Sequence, residues 1–381
     1  MSTHHRPGWA VAAENAAGPA KRKPRLAFFR WTRAGLPAFL AAHAREQVTS
    51  LEQFFDVTVI DRDCDYGQVC DSLRPDLCVF ESGVYAGNRA ITNTSAHPEI
   101  PKLGFLHADA FDSSRAAFIA DMARWGVSWF FTTSMSMAEY TPQIAKRLFV
   151  WPNAIDPNVF RDYQLAKNIP VLFTGSQAWH YPWRNGISRA VTPEFITMTM
   201  PHFGWGAGGG TDRMLHGADY ARLLNASTFV PTCGTVARDV VRKHLEIPAA
   251  MACLVTERTA SIEAFGFADM VNCVFAEEDD VVDKLQQLLR HPEELERVTR
   301  AGHDLVVEHH TNAQRSQVLQ WFELVSQHGL DISLVQDWPD GRLRLAPGGE
   351  DLTTSMIVSS GRDRQLIASG WDELQRGEYS A

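Results

Sequence analysis

Twice along the chain, short apolar runs alternate with helical stretches at the spacing of βαβ units. This repeated alternation restricts the fold more than any other feature. The first series starts with RLAFF at Arg25, continues through DVTVID, DLCVFESG, PKLGFLHADAF and VSWFFTTS, and ends at RLFVWPN. The second starts with IPVLFTGS and continues through TFVPTCGT, ACLVTE and NCVFAEE. Continuous apolar runs of this length read as strands buried on both faces. Strands alternating with helices imply a parallel sheet with right-handed crossovers. Between the two series, IDPNVFRDYQLAKN is polar and carries a proline, as a linker does. The expected class is α/β, with two Rossmann-like doubly wound domains facing a cleft. The first covers 25–160 and the second 161–328. A flexible tail over 1–24 precedes them. A C-terminal tail over 329–381 follows, whose DRQLIASGWDELQRG stretch can form a helix packed back on the first domain.

The length of 381 residues is too great for one ordinary core and agrees with two domains. The net charge of −9 argues against a nucleic-acid partner, which needs a basic face. Local basic pockets for phosphate stay open, because net charge says little about one site. Six cysteines, none in a CxxC pair, are expected to be free thiols in a reduced, cytoplasmic compartment. No stretch approaches the roughly 20 apolar residues of a membrane span. The first 24 residues lack the apolar core of a signal peptide, and their basic GPAKRKP end allows at most peripheral membrane contact.

Ligands of doubly wound sheets sit beyond the carboxyl ends of the strands, so polar residues there are the candidates. In the second half, Gly175 and Ser176 follow VLFT. A small residue there lets backbone amides approach a phosphate, while an ordinary strand-end turn explains it equally. Arg184 can pair with a diphosphate through two parallel hydrogen bonds, or stand as a solvated helix charge. Gly234 lies in the turn after TFVPTC. In RKHLEIPAAMACLVTE, Pro248 suits the first position of a helix. Glu246 would then precede that helix, either accepting both hydroxyls of a ribose or serving only as a cap. Arg242 and Lys243 lie one turn upstream, where a diphosphate would run. In the first half, His107 and Asp109 in FLHADAFD are the candidates near a reacting carbon, His107 as a sugar contact or proton acceptor and Asp109 as its orienting partner or the base. Glu81 and Gly35 hold similar strand-end positions. His303, His309 and His310 lack a carboxylate-rich partner cluster, and the acidic DRDCD lies in the wrong half, so no metal is expected.

The stretch from RKHLEIPAAMACLVTE to EHHTNAQRSQVL resembles the C-terminal domain of group 1 glycosyltransferases, most nearly the spore-maturation-type branch. The likeness rests on the element around Glu246, the helix DDVVDKLQQLL, and the ending from Ala301-Gly302 through His310-Thr311 to Arg315. VWPNAIDPNVF is similar to the element that closes the first domain in such enzymes. The resemblance covers about residues 145 to 325. It implies the GT-B fold, a nucleoside-diphosphate sugar as co-substrate held by the second domain, a ribose on Glu246, and retention at the anomeric carbon. The sequence departs from the family at Arg238, where the wider group often has a second glutamate, and at Met251, where it has a glycine. The expected activity is glycosyl transfer to an unknown acceptor, without metal or other cofactor. The alternatives are a sugar-nucleotide epimerase and a non-catalytic sugar-nucleotide-binding protein.

Overall fold

The computed structural model describes residues 22–30, 35–83, 90–107, 115–178, 181–204, 210–235 and 237–347. Asp109 and the DRQLIASGWDELQRG stretch lie outside the described residues.

The first sheet has six parallel strands: β1 (Arg25–Phe29), β2 (Asp56–Ile60), β4 (Leu77–Gly83), β6 (Lys102–His107), β7 (Trp129–Thr132) and β8 (Leu148–Val150). Their order is β2-β1-β4-β6-β7-β8. A two-residue pair, β3 (Cys64–Asp65) and β5 (Ile91–Thr92), stands apart. The strand positions alternate between two cores. Leu26 and Phe28 join Leu103, Phe105 and Trp129 on one face, while Ala27 and Phe29 join Phe80 and Met122 on the other. Helices α1 (Ala38–Glu52), α2 (Tyr66–Leu73), α3 (Arg115–Arg124) and the short α4 (Met137–Tyr140) connect the strands.

The second sheet is parallel as well, with β9 (Ile169–Phe173), β10 (Thr197–Thr199), β11 (Ser227–Thr232), β12 (Cys253–Thr256) and β13 (Val274–Phe275) in the order β10-β9-β11-β12-β13. Its helices are α5 (Pro182–Val191), α6 (Gly217–Asn225), α7 (Lys243–Ala249), α8 (Ala260–Ala264), α9 (Val281–Arg290) and α10 (Pro292–His309). One face packs against α5 and α9 through Ile187, Val191, Leu285 and Leu288. β10 is the strand that the reading of apolar runs did not anticipate. It is an edge strand, with Ile196 and Met198 exposed, so it lacks the apolar continuity of the buried ones.

After α10 the chain returns to the first domain. Val318, Trp321 and Val325 of α11 (Gln317–His328) bury their side chains in the same core as Leu26 and Trp129. The hairpin of β14 (Leu334–Asp337) and β15 (Arg342–Leu345) adds Leu334 and Leu343 to that core. The His310-Thr311…Arg315 ending lies at this crossing. Arg315 is fully buried and donates to the carbonyls of Pro152, Asn153 and His309 at 2.7–3.1 Å, which ties the crossing to the segment that leaves the first domain.

Candidate functional site

In each sheet the chain turns to opposite sides after one strand, which places a crevice at the carboxyl ends of β1 and β4 and another at those of β9 and β11. Nearly every residue discussed below lies at one of these two places.

At the second crevice, Gly175 follows β9 with φ of +84°, a backbone conformation suited to glycine. A Cβ there would lie 1.9 Å from Lys243 Nζ and 3.3 Å from Arg184 Nη1, so both cations cover the same glycine. Lys243 donates to Thr174 O at 3.1 Å. Arg184 donates to Ser176 O at 2.5 Å and Thr232 Oγ1 at 3.5 Å, bridging the ends of β9 and β11, while its guanidinium lies over the Tyr181 ring. The buried Arg184 Nε has no hydrogen-bond partner. Among the described residues, neither Arg184 nor Lys243 forms an ion pair with a carboxylate. Burial, and then the charge of Arg184, bring the Lys243 amine down to about 7.

Glu246 is buried on α7, behind these cations. Arg242 Nε donates to it at 3.1 Å, and Arg242 Nη2 pairs with Glu46 on α1 of the first domain. Burial pushes the Glu246 carboxyl above its usual range, opposed by Arg242. The expectation that Pro248 opens a helix is corrected here: α7 runs Lys243–Ala249, and Pro248 lies in its last turn. Tertiary packing outweighs the preference of proline for a first turn, since Gly302 of α10 packs against Pro248, where an added Cβ would come within 3.3 Å of Pro248 Cβ. Glu246 therefore stands within the first helical turn rather than ahead of it.

Gly234 begins a tight loop in which an added Cβ would lie 2.1 Å from Asp239 O. Its amide donates to Glu257 Oε1 at 2.9 Å, and Arg238, with φ of +53°, pairs with the other oxygen of the same carboxylate. Glu257, at the end of β12, thus sits beside the position where the resemblance expects a glutamate and finds Arg238. Next in the loop, the buried Asp239 reaches the first domain. It accepts from Ser134 Oγ at 2.7 Å, Met135 N at 3.2 Å and Ser136 N at 3.4 Å.

At the first crevice, three strand ends meet. Arg30 follows β1, Glu81 lies on β4 and His107 ends β6. Glu81 Oε2 is 2.9 Å from Arg30 Nε and Oε1 is 3.0 Å from His107 Nδ1. The His107 ring stacks on Phe105 at 5.0 Å. The two crevices meet around His43 of α1. Burial, followed by the charges of Arg242, His107, His216 and Lys243, holds its imidazole well below the usual histidine range.

Of the sequence candidates, Gly175, Ser176, Arg184, Lys243 and Glu246 come together, Arg242 bridges to the first domain, and Gly234 shapes the adjoining loop. Arg30, Glu46, Asp239 and Glu257 were not singled out. Arg30 directly follows the apolar run RLAFF, so the strand-end rule that selected His107 applies to it equally. His309 and His310 are held by Asp340 at 2.6 Å and by Phe265 O at 2.8 Å. Among the described residues, no cluster of three metal-ligating side chains is present, and no helix is long and apolar enough to cross a membrane.

Residues 166–320 match the family described as Glycosyl transferase-like. Among solved structures, the chain is similar to Anabaena HepE in complex with UDP-glucose, at 13% identity and a TM-score of 0.50 over 80% of this chain and 100% of that one. It is similar to sucrose-phosphate synthase from Thermosynechococcus elongatus, at 9% identity and a TM-score of 0.56 over 80% and 99%. An alpha-glucosyltransferase in complex with UDP-glucose and DNA containing an abasic site matches at 10% identity and a TM-score of 0.53 over 80% and 100%. No curated protein sequence matches the chain. The fold is the GT-B fold of glycosyltransferases, and the match to the glycosyl transferase-like model falls on the second sheet and its helices.

Proposed function

We propose that this chain transfers a sugar from a nucleoside-diphosphate donor to an acceptor, with the diphosphate held between Arg184 and Lys243. The observation that carries the proposal is this pair of cations, Arg184 buried and Lys243 half-buried, at the switch point of the second sheet. Neither has a carboxylate in contact, and one guanidinium nitrogen lacks any partner. Burying unpaired charge is costly, and an anion resting on Gly175 would supply the missing counter-charge. The same cations then stabilise the charge that develops on the leaving diphosphate, a task that a divalent ion performs in other enzymes. The proposed reaction therefore needs no metal, and EDTA should leave turnover unchanged.

Glu246 lies one helical turn from Lys243 on α7, and in this reading it receives the ribose. His107 faces the donor from the first domain. Retention at the anomeric carbon and the spore-maturation-type branch rest on the sequence resemblance, and the anomeric configuration of the product tests the former. The similar structures that hold UDP-glucose make UDP-sugars the first donors to try.

Thermal shift with UDP-, GDP-, ADP- and TDP-sugars is the direct experiment. A donor present at 100 times its dissociation constant should add about 2.7 kcal/mol of stability. Conversion of the donor without an acceptor into a second sugar nucleotide would point to an epimerase. Binding without transfer or hydrolysis would leave a binding protein.

A further inference from the structure

We propose that Lys243 is a modification site for carbon dioxide: its amine adds CO2 to form a carbamate, which pairs with Arg184 in the place proposed above for the donor diphosphate. The carbamate needs this cation pair but not the transfer reaction.

Lys243 Nζ and Arg184 Nη1 close on one small residue, since a Cβ added to Gly175 would meet them at 1.9 Å and 3.3 Å. Among the described residues, the only hydrogen bond of the Lys243 amine runs to Thr174 O, at 3.1 Å. Arg184 is buried and fixed by Ser176 O, Thr232 Oγ1 and the Tyr181 ring, and its Nε has no partner. Lys243 is half-buried, so its amine is the group of the two that a small neutral molecule can reach.

A guanidinium stays charged in a protein, so of two crowded cations the amine is the one that releases its proton. Burial, and then the charge of Arg184, bring the Lys243 amine down to about 7. An ordinary lysine, near pKa 10.4, holds about one neutral amine in a thousand at neutral pH. The other titratable groups facing Lys243 are Glu246 and His244 of its own helix, Cys233 after β11 and His43 of α1. Glu246 is engaged by Arg242. Burial pushes the Cys233 thiol up and both imidazoles down, so none of these three supplies a counter-charge.

In the step itself, the Nζ lone pair attacks the carbon of CO2. A C–N bond forms, one C–O π pair moves onto oxygen, and a proton leaves the nitrogen for solvent. A neutral amine thereby becomes an anion whose two oxygens are acceptors for the Arg184 guanidinium. The diphosphate loses one cation and gains a like charge beside it. Donor and carbamate therefore exclude each other, and dissolved CO2 inhibits the site.

The experiment reads the new covalent bond. Protein carrying 15N at the lysine side-chain nitrogen is equilibrated with 13C-bicarbonate at about pH 7.5, where an ordinary lysine stays protonated. A 13C carbamate resonance split by the bonded 15N is expected, and it should be absent in K243M and K243R. The arginine variant keeps a cation at this position, so a loss of fold cannot explain the absence. The α-amino group of the chain takes no label from lysine, and a carbamate there stays unsplit. Inorganic pyrophosphate, the anion common to the donors in question, should remove the split resonance as it binds. When CO2 half-fills the site, at constant pH and ionic strength, the apparent Kd of pyrophosphate should about double in wild type and stay the same in K243M. A resonance without splitting would mean an adventitious ion only and would overturn the proposal. So would a split resonance that survives in K243M, or one that persists while pyrophosphate raises the melting temperature. A Lys243-dependent carbamate in a protein that binds none of the UDP-, GDP-, ADP- or TDP-sugars would count against the glycosyl-transfer reading. Donor binding without a carbamate would count against this site alone.

Discussion

Glu46 of the first domain and Glu246 of the second share one guanidinium, that of Arg242. The residue proposed to hold the donor ribose is therefore linked to α1 across the cleft. A ligand that engages Glu246 acts on a charge pair that also joins the two domains.

Glu246→Gln keeps the size and loses the charge. Each hydrogen bond to a charged group contributes about 1.5–3 kcal/mol, so nucleotide binding should weaken at least about tenfold. Wild type should bind 2′-deoxy and 3′-deoxy nucleotides less well than the parent, and the variant should hardly distinguish them. Titration calorimetry with the deoxy series measures this. Intact discrimination in the variant would return Glu246 to a structural role beside Arg242.

The strands of both sheets were legible because parallel strands buried on two faces must be apolar throughout. The same logic hid β10, whose edge position leaves Ile196 and Met198 in solvent. Gly175, Arg184 and Lys243 were legible as strand-end and helix-start residues close together in sequence. The Arg30–Glu81–His107 string was not, because it depends on β1, β4 and β6 lying side by side, and strand order is not written in local pattern. The link from Asp239 to Ser134 was hidden for a similar reason, as it joins residues 105 positions apart in different domains. The helix at Glu246 was misplaced because α10 decides where Pro248 packs.

Gly83→Ala tests the close approach of β4 and β6. With a Cβ placed 2.1 Å from His107 O, the backbone itself must shift. Overpacking of this kind costs about 1–3 kcal/mol. Turnover should fall while donor affinity, set in the other domain, is unchanged. A melting curve and a donor titration on the one variant separate these effects, and full turnover would show that the end of β6 tolerates displacement.

Asp239→Ala should loosen the contact between domains. The carboxylate accepts from Ser134 Oγ, Met135 N, Ser136 N and Ser136 Oγ of the first domain, and these donors lose that acceptor. Leaving buried donors unsatisfied costs about 2 kcal/mol. The expected result is a lower melting temperature with a larger radius of gyration in small-angle scattering. A lower melting temperature without expansion would confine the role of Asp239 to its own loop.

Lys243 carries the prediction with the most direct pH signature. Burial and Arg184 bring its amine from 10.5 down to about 7. Between about pH 7 and pH 10 the unfolded chain holds a proton that the folded chain has released. Stability therefore rises with pH across that window and is lowest below it. Lys243→Met should abolish this slope and raise the melting temperature at pH 7, since it removes a half-buried charge that the fold desolvates. The same change should weaken donor binding, because the diphosphate loses a cation. In the wild type the donor favours the charged amine, so binding takes up a proton above pH 7. Affinity should then fall with rising pH by at most about tenfold per unit. A UDP-sugar is the suitable probe, as its diphosphate does not titrate near neutrality. Calorimetry in two buffers of different ionisation enthalpy should register the proton uptake in wild type and its loss in the methionine variant. A variant that gains stability yet binds the donor as tightly as wild type would mean that Lys243 does not meet the diphosphate.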